Sequence, residues 1–151
     1  MKKWTPKLHS VAEGLIRNIH EIAPELEVLF MGAGALGLPG KNDIDLDILC
    51  STHDLKHYAD LLTPVMGNPQ ITKDNIAVWN YEYKGYEIDA LLSDPSAPNS
   101  HVPKQIKVYE TLRSQPNLLE QYRQLKREWD GLPLYIYKAK KKDFLEQIAN
   151  T

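Results

Sequence analysis

Pro39 and Gly40 close a glycine-rich turn, and the chain then enters a strand with aspartates at alternate positions. Residues 27–49 read EVLFMGAGALGLPGKNDIDLDIL: an apolar strand, the turn, and a second strand. Helix breakers at 39 and 40 leave no room for a long helix between the two strands. Asp43, Asp45 and Asp47 stand two residues apart. In a β-strand that spacing points all three side chains to one face. Crowded carboxylates repel one another unless a positive charge lies between them. A divalent metal answers that need, and oxygen ligands favour Mg²⁺, Mn²⁺ or Ca²⁺.

Gly32, Gly34 and Gly37 also spell G-x-G-x-x-G after an apolar strand, the dinucleotide-binding fingerprint. That fold requires a long helix opening at the glycines and a parallel strand beyond it. A parallel crossover takes about a dozen residues or more. Pro39 and Gly40 follow almost at once and the next strand begins near Asp43, so no full βαβ unit fits.

The same residues match the nucleotidyltransferase pattern better: a strand, Gly-Ser, a short glycine-bearing turn, then Asp-x-Asp opening the next strand. Gly34-Ala35, nine residues, then Asp45-Leu46-Asp47 reproduces the spacing. Backbone N–H groups of such a turn can hold phosphate oxygens. The aspartates can hold the metals that bridge those phosphates. Ala35 stands where the pattern has serine, which removes a hydroxyl contact to phosphate. Gly32-Ala33 to Asp43-Ile44-Asp45 has the same spacing. The later pair is preferred because apolar Ile48 and Leu49 follow it, as in a buried strand.

A chain of 151 residues is expected to form a single domain. It can bury roughly 70% of the unfolded surface. No apolar run reaches the ~18 residues of a membrane span. The start, MKKWTPKLHS, is basic without an apolar signal core, so a cytoplasmic protein is expected. The single cysteine, Cys50, excludes an internal disulfide and argues against a thiolate metal cluster. It reads as a small buried residue at a strand end. A net charge of −2 gives no support to general nucleic-acid affinity. Its distribution is uneven: residues 1–103 carry 8 Lys/Arg and 14 Asp/Glu, residues 104–142 carry 10 and 4. An acidic front suited to metals is followed by a basic stretch suited to phosphates, or simply by helices with charged surfaces.

Helical periodicity runs over residues 7–23 through Leu8, Val11, Ala12, Leu15, Ile16, Ile19 and Ile22, ending at Pro24. His9 and His20 within it have no companion carboxylate at ligand spacing. A second helix is expected from Ser51, as N-cap, to about residue 65. His53 and His57 lie four apart on it, but the residues between do not make HExxH, so both are assigned to solvent. Residues 76–92 read as a β-hairpin turning at Lys84-Gly85. Asp89, between Ile88 and Ala90, is a carboxylate in apolar company and is costly unless paired. In the nucleotidyltransferase fold a third catalytic carboxylate lies on a strand beside Asp-x-Asp, and Asp89 is the candidate. Residues 94–102, with His101, form a loop. Helices are expected over about 103–113, 116–129 and 134–148.

These features together resemble the GrpB family of the nucleotidyltransferase superfamily, over nearly the whole length. The family's Gly-Ser-Thr-x-Val-Pro-Gly-Leu turn resembles Gly34-Ala35-Leu36-Gly37-Leu38-Pro39-Gly40-Lys41, and its Asp-containing strand resembles Ile44-Asp45-Leu46-Asp47-Ile48. Its Y-x-x-L-R-x-x-P pattern matches Tyr109, Leu112, Arg113 and Pro116. Its Y-x-x-L-K matches Tyr122, Leu125 and Lys126, and its Y-x-x-x-K-x-x-F matches Tyr137, Lys141 and Phe144. Ala35 departs from the family, and so does the aspartate at 89. The resemblance implies an α/β (α+β) nucleotidyltransferase-like fold: a small mixed β-sheet flanked by helices, with the core over about 1–95 and a helical C-terminal part over about 103–149. It implies no defined substrate.

The expected activity is metal-dependent transfer of a nucleoside monophosphate from a nucleoside triphosphate to a hydroxyl acceptor. Asp45 and Asp47 would hold Mg²⁺ or Mn²⁺, and Asp89 would complete one metal site and help deprotonate the acceptor. Gly34, Ala35, Lys41, Arg113, Lys126 and Lys141 are the candidate nucleotide-binding residues. Ala35 motivates the alternative, a catalytically weakened nucleotide- or metabolite-binding module on the same fold.

Overall fold

The computed structural model describes residues 1–73 and 75–151. These residues divide into two compact units, one of Lys2–Val102 and one of Pro103–Thr151 together with Met1.

The first unit is built on a five-stranded mixed sheet of order β1-β2-β5-β4-β3. Helix α1 (Lys7–Ile22) precedes β1 (Glu27–Met31), the four-residue helix α2 (Gly32–Ala35) and β2 (Asp43–Leu49). A 3-10 turn (Thr52–Asp54), α3 (Leu55–Met66), β3 (Ile71–Lys73), β4 (Ile76–Tyr83) and β5 (Tyr86–Ser93) follow. β1 and β2 are antiparallel, β2 and β5 parallel, and β4 antiparallel to both β5 and β3. A helix of four residues between antiparallel strands rules out the dinucleotide-binding arrangement, which needs a full crossover helix.

Alternation sets the two faces of the sheet. Ile44, Leu46, Ile48, Ala77, Trp79, Ile88, Ala90 and Leu92 form the core with Leu8, Ala12, Leu15 and Ile19 of α1 and Leu55, Ala59 and Leu62 of α3. Each α1 position sits three or four residues from the next, which is why that stripe buries. Trp79 is fully buried, and its Nε1 donates to the Gly67 carbonyl at 2.8 Å. The β4–β5 hairpin turns through Lys84 (φ 50°) and Gly85 (φ 85°). Two successive positive φ values are those of a type I′ turn, whose twist suits antiparallel strands.

The expected helix from Ser51 is broken at its start. Ser51 Oγ donates to Asp54 Oδ2 at 3.1 Å and heads only the 3-10 turn, while α3 proper opens at Leu55.

The second unit contains α5 (Pro116–Trp129), α6 (Leu134–Ala149) and nearly all of α4 (Val102–Ser114). Tyr122 stacks on Phe144 at 5.1 Å between ring centroids, and Trp129 meets Phe144 and Tyr137 edge-on. Lys107 Nζ donates to the carbonyls of Ala149 and Thr151 at the end of α6. A cation there satisfies terminal carbonyls and complements the helix dipole. Among the described residues no helix is long and apolar enough to cross a membrane.

Candidate active site

The face of the sheet opposite the core carries the acids. Parallel register sets Asp43 against Glu87, Asp45 against Asp89 and Asp47 against Leu91. Carboxylate oxygens of Asp43, Asp45 and Asp89 lie within 4.8 Å of one another, and all three residues are half-buried. At that separation two unit charges repel by about 3.5 kcal/mol at an effective dielectric of 20. Burial raises the pKa of Asp89; the Asn80 hydrogen bond lowers it, and the bond to Asp43 and the charges of Asp43 and Glu87 raise it. Three hard oxygen donors pressed together suit Mg²⁺ or Mn²⁺ in type and charge, so the set fits a divalent metal ion.

Asp45 and Asp89 thus meet, but the third member of the group is Asp43. Asp47 lies outside it. Asp47 is buried, only 8% exposed, and desolvation pushes its carboxyl up to about 6. The turn supports the earlier of the two spacings. β1 ends at Met31, Gly32 opens the turn, and Asp43 opens β2. Gly32 has φ +83°, and a Cβ there would collide with Asp45 Oδ2. The strand–glycine–turn–aspartate geometry therefore runs from Gly32-Ala33 to Asp43 and Asp45. In that alignment Ala33 occupies the serine position, so the missing hydroxyl is common to both alignments.

Gly34 has a packing role. It is buried, and a Cβ would meet the Asp43 carbonyl and Leu8 Cδ2 at 3.0 Å. Its own carbonyl accepts hydrogen bonds from Trp4 Nε1 at 2.9 Å and His9 Nε2 at 3.0 Å. His9 also meets Trp4 and Phe30 edge-on, so this histidine is fixed by the turn it supports. Ala35 ends α2 and is half-buried, and Lys41 is exposed in the bend before β2. Asn42, at φ 58°, redirects the chain into the strand, and its amide donates to the Lys3 carbonyl at 3.1 Å.

The remaining candidates lie in the second unit. Arg113 is exposed and pairs with Glu110 of its own helix at 2.6 Å. Lys126 is 2% exposed, with Nζ 5.4 Å from the Tyr122 ring centroid. Lys141 is half-buried on α6. Two acid-face residues escaped the sequence analysis as site residues. Asn80 and Glu87 hydrogen-bond to each other, and Asn80 also bonds Asp89. The hairpin register, read outward from Lys84-Gly85, is the signal that pairs Asn80 with Asp89. His53 and His57 are exposed and belong to no metal-ligating group among the described residues.

No protein-family model matches the chain, and no curated protein matches it. Solved structures do. A crystal structure of the Cid1 poly(U) polymerase with MgGTP bound matches with a TM-score of 0.55 at 18% identity, over 77% of this chain and 39% of that one. A second Cid1 structure, described for RNA terminal uridylyl transferase activity, matches with a TM-score of 0.53 at 17% identity, over 77% of this chain and 38% of that one. The fold is nucleotidyltransferase-like. This chain spans about two fifths of the length of those neighbours, and at such identity the likeness concerns the fold alone.

Proposed function

We propose that the chain is a metal-dependent, GrpB-like nucleotidyltransferase, moving a nucleoside monophosphate from a nucleoside triphosphate to a hydroxyl acceptor. The observation that carries this reading is the convergence of Asp43, Asp45 and Asp89 from the two parallel strands of the sheet. In this role the three aspartates hold Mg²⁺ or Mn²⁺, which when bound offsets the charge on the triphosphate and on the attacking and leaving oxygens. The acceptor oxygen attacks the α-phosphorus. The bond from that phosphorus to its β-bridging oxygen breaks, and pyrophosphate leaves with the electron pair. In this reading the acceptor proton passes to the Asp89 carboxylate as general base. Backbone N–H groups of the Gly32–Ala35 turn, with Lys41, are the proposed contacts to the phosphates.

Thermal unfolding with each nucleoside triphosphate, with and without Mg²⁺, tests this. A ligand at one hundred times its Kd stabilises the folded chain by about 2.7 kcal/mol. The native chain should show a Mg²⁺-dependent rise in Tm, and Asp45→Ala should lose it. Equal binding of Mg²⁺-ATP by Asp45→Ala would mean that the site has been misassigned.

Alanine at both 33 and 35 favours a second reading, a nucleotide- or metabolite-binding module that no longer turns over. Ala33→Ser and Ala35→Ser separate the two. Transfer activity gained on restoring a serine marks a weakened enzyme, and binding without turnover in every variant marks a pure binder.

A further inference from the structure

Asn80 lies on β4 opposite Asp89. Its amide nitrogen has two hydrogens, and both go to carboxylates. One is donated to Glu87 Oε1 at 2.9 Å, the other to Asp89 Oδ1 in a short hydrogen bond. Glu87 and Asp89 are two apart on one strand and share a face. The amide therefore sits between two like charges and donates to both.

Asn80 is itself held. Its backbone N–H donates to Gln70 Oε1 at 2.8 Å, and Gln70 Nε2 donates back to the Asn80 carbonyl at 2.9 Å. Gln70 N–H also donates to the Val78 carbonyl at 2.8 Å. Gln70 immediately precedes β3, so its side chain continues the edge pairing beyond the strand itself.

We propose that Asn80 is the positioning residue of the acidic group: clamped by Gln70, it fixes Asp89 where Asp89 meets Asp43 and Asp45. The proposal rests on the reading of those three aspartates as a divalent-cation site. A rival role is open to Asn80, that of a donor which merely relieves repulsion between Glu87 and Asp89. That role predicts lost stability without lost cation affinity.

Mn²⁺ binding, followed through the electron paramagnetic resonance signal of the free ion, separates the roles when measured beside thermal unfolding in metal-free buffer. The full chain is compared with Asp45→Ala, Asn80→Ala and Asn80→Asp. The native chain should bind Mn²⁺ and Asp45→Ala should not. Both Asn80 variants should bind about 10–100-fold more weakly, the usual loss when a partner behind a metal ligand is removed. Asn80→Asp keeps the side-chain shape and adds a negative charge, so a site governed by charge alone would bind more tightly. Tighter binding by Asn80→Asp overturns the positioning role and leaves the cation site standing. So does a lower Tm in Asn80→Ala with Mn²⁺ affinity kept within about twofold of native. Native binding no better than that of Asp45→Ala overturns both.

Discussion

Asp45 and Asp89 stand directly opposite one another on the parallel strands β2 and β5. Two residues earlier an acid again faces an acid, Asp43 against Glu87; two residues later Asp47 faces Leu91. The acidic half of the strand pair thus ends at Asp45. Beyond it Asp47 is buried, and desolvation penalises its charge.

That division predicts different behaviour from two isosteric changes. Asp43→Asn removes a ligand charge and should weaken Mn²⁺ binding by tenfold or more, on the order of 1.4 kcal/mol. Asp47→Asn should leave Mn²⁺ affinity nearly unchanged. Calorimetric titration of both variants checks this, and the reverse ranking would restore the later Asp-x-Asp pair as the metal ligands.

Gly32 and Gly14 should respond to alanine in opposite directions. At Gly32 the positive φ and the collision with Asp45 Oδ2 both oppose a side chain. Strain of that kind costs of order 1–3 kcal/mol. Gly14 is inside α1, where an added methyl would have nothing within 4 Å. Alanine there should stabilise the helix by roughly 0.5–1 kcal/mol. Urea unfolding of Gly32→Ala and Gly14→Ala should move the midpoint down and up respectively.

The Cys50 thiol is pushed up to about 11, first by burial and then by the charges of Asp54 and Asp94. The unfolded thiol ionises near its ordinary value of 9.0, so the unfolded state releases its proton first. Stability from the neutral folded thiol is full below pH 9 and falls as pH rises toward 11. Cys50→Ser should flatten that part of the curve. Iodoacetamide should also alkylate native Cys50 far more slowly at pH 8 than it alkylates the urea-unfolded chain.

The hairpin turn offers a local test. Gly85 sits at φ 85° with nothing within 4 Å of an added Cβ, so backbone conformation alone opposes a side chain. Gly85→Ala should cost about 1–2 kcal/mol. Asparagine, which tolerates left-handed backbone, should cost less. Thermal unfolding of the two variants gives the comparison.

Much of this fold was legible in local signals. The α1 stripe, the strand before Gly32, the Lys84-Gly85 hairpin and the absence of a crossover helix before Asp43 follow from periodicity and turn chemistry. The choice among Asp43, Asp45 and Asp47 was not, because a shift of two residues leaves a β-strand's face unchanged. What separates them is non-local: which of them faces an acid on β5, and which lies against Gly32. β3 was equally hidden, since Ile71–Lys73 is an exposed three-residue strand defined only by its pairing with β4. The lone-looking Asp89 was legible as a carboxylate in need of a partner; that Asn80 supplies one depends on hairpin register.

The parallel pairing of β2 with β5 has a consequence for how the unit assembles. β4 and β5 are neighbours in sequence and can zip from their turn. Asp45 and Asp89 must first close a loop on the order of forty residues, an entropic cost of about 3 kcal/mol before any contact compensates it. The proposed metal ligands are therefore split across a slow, long-range kind of strand association. Cation uptake during refolding would time the docking of the last long-range strand pair, and would lag behind the hairpin.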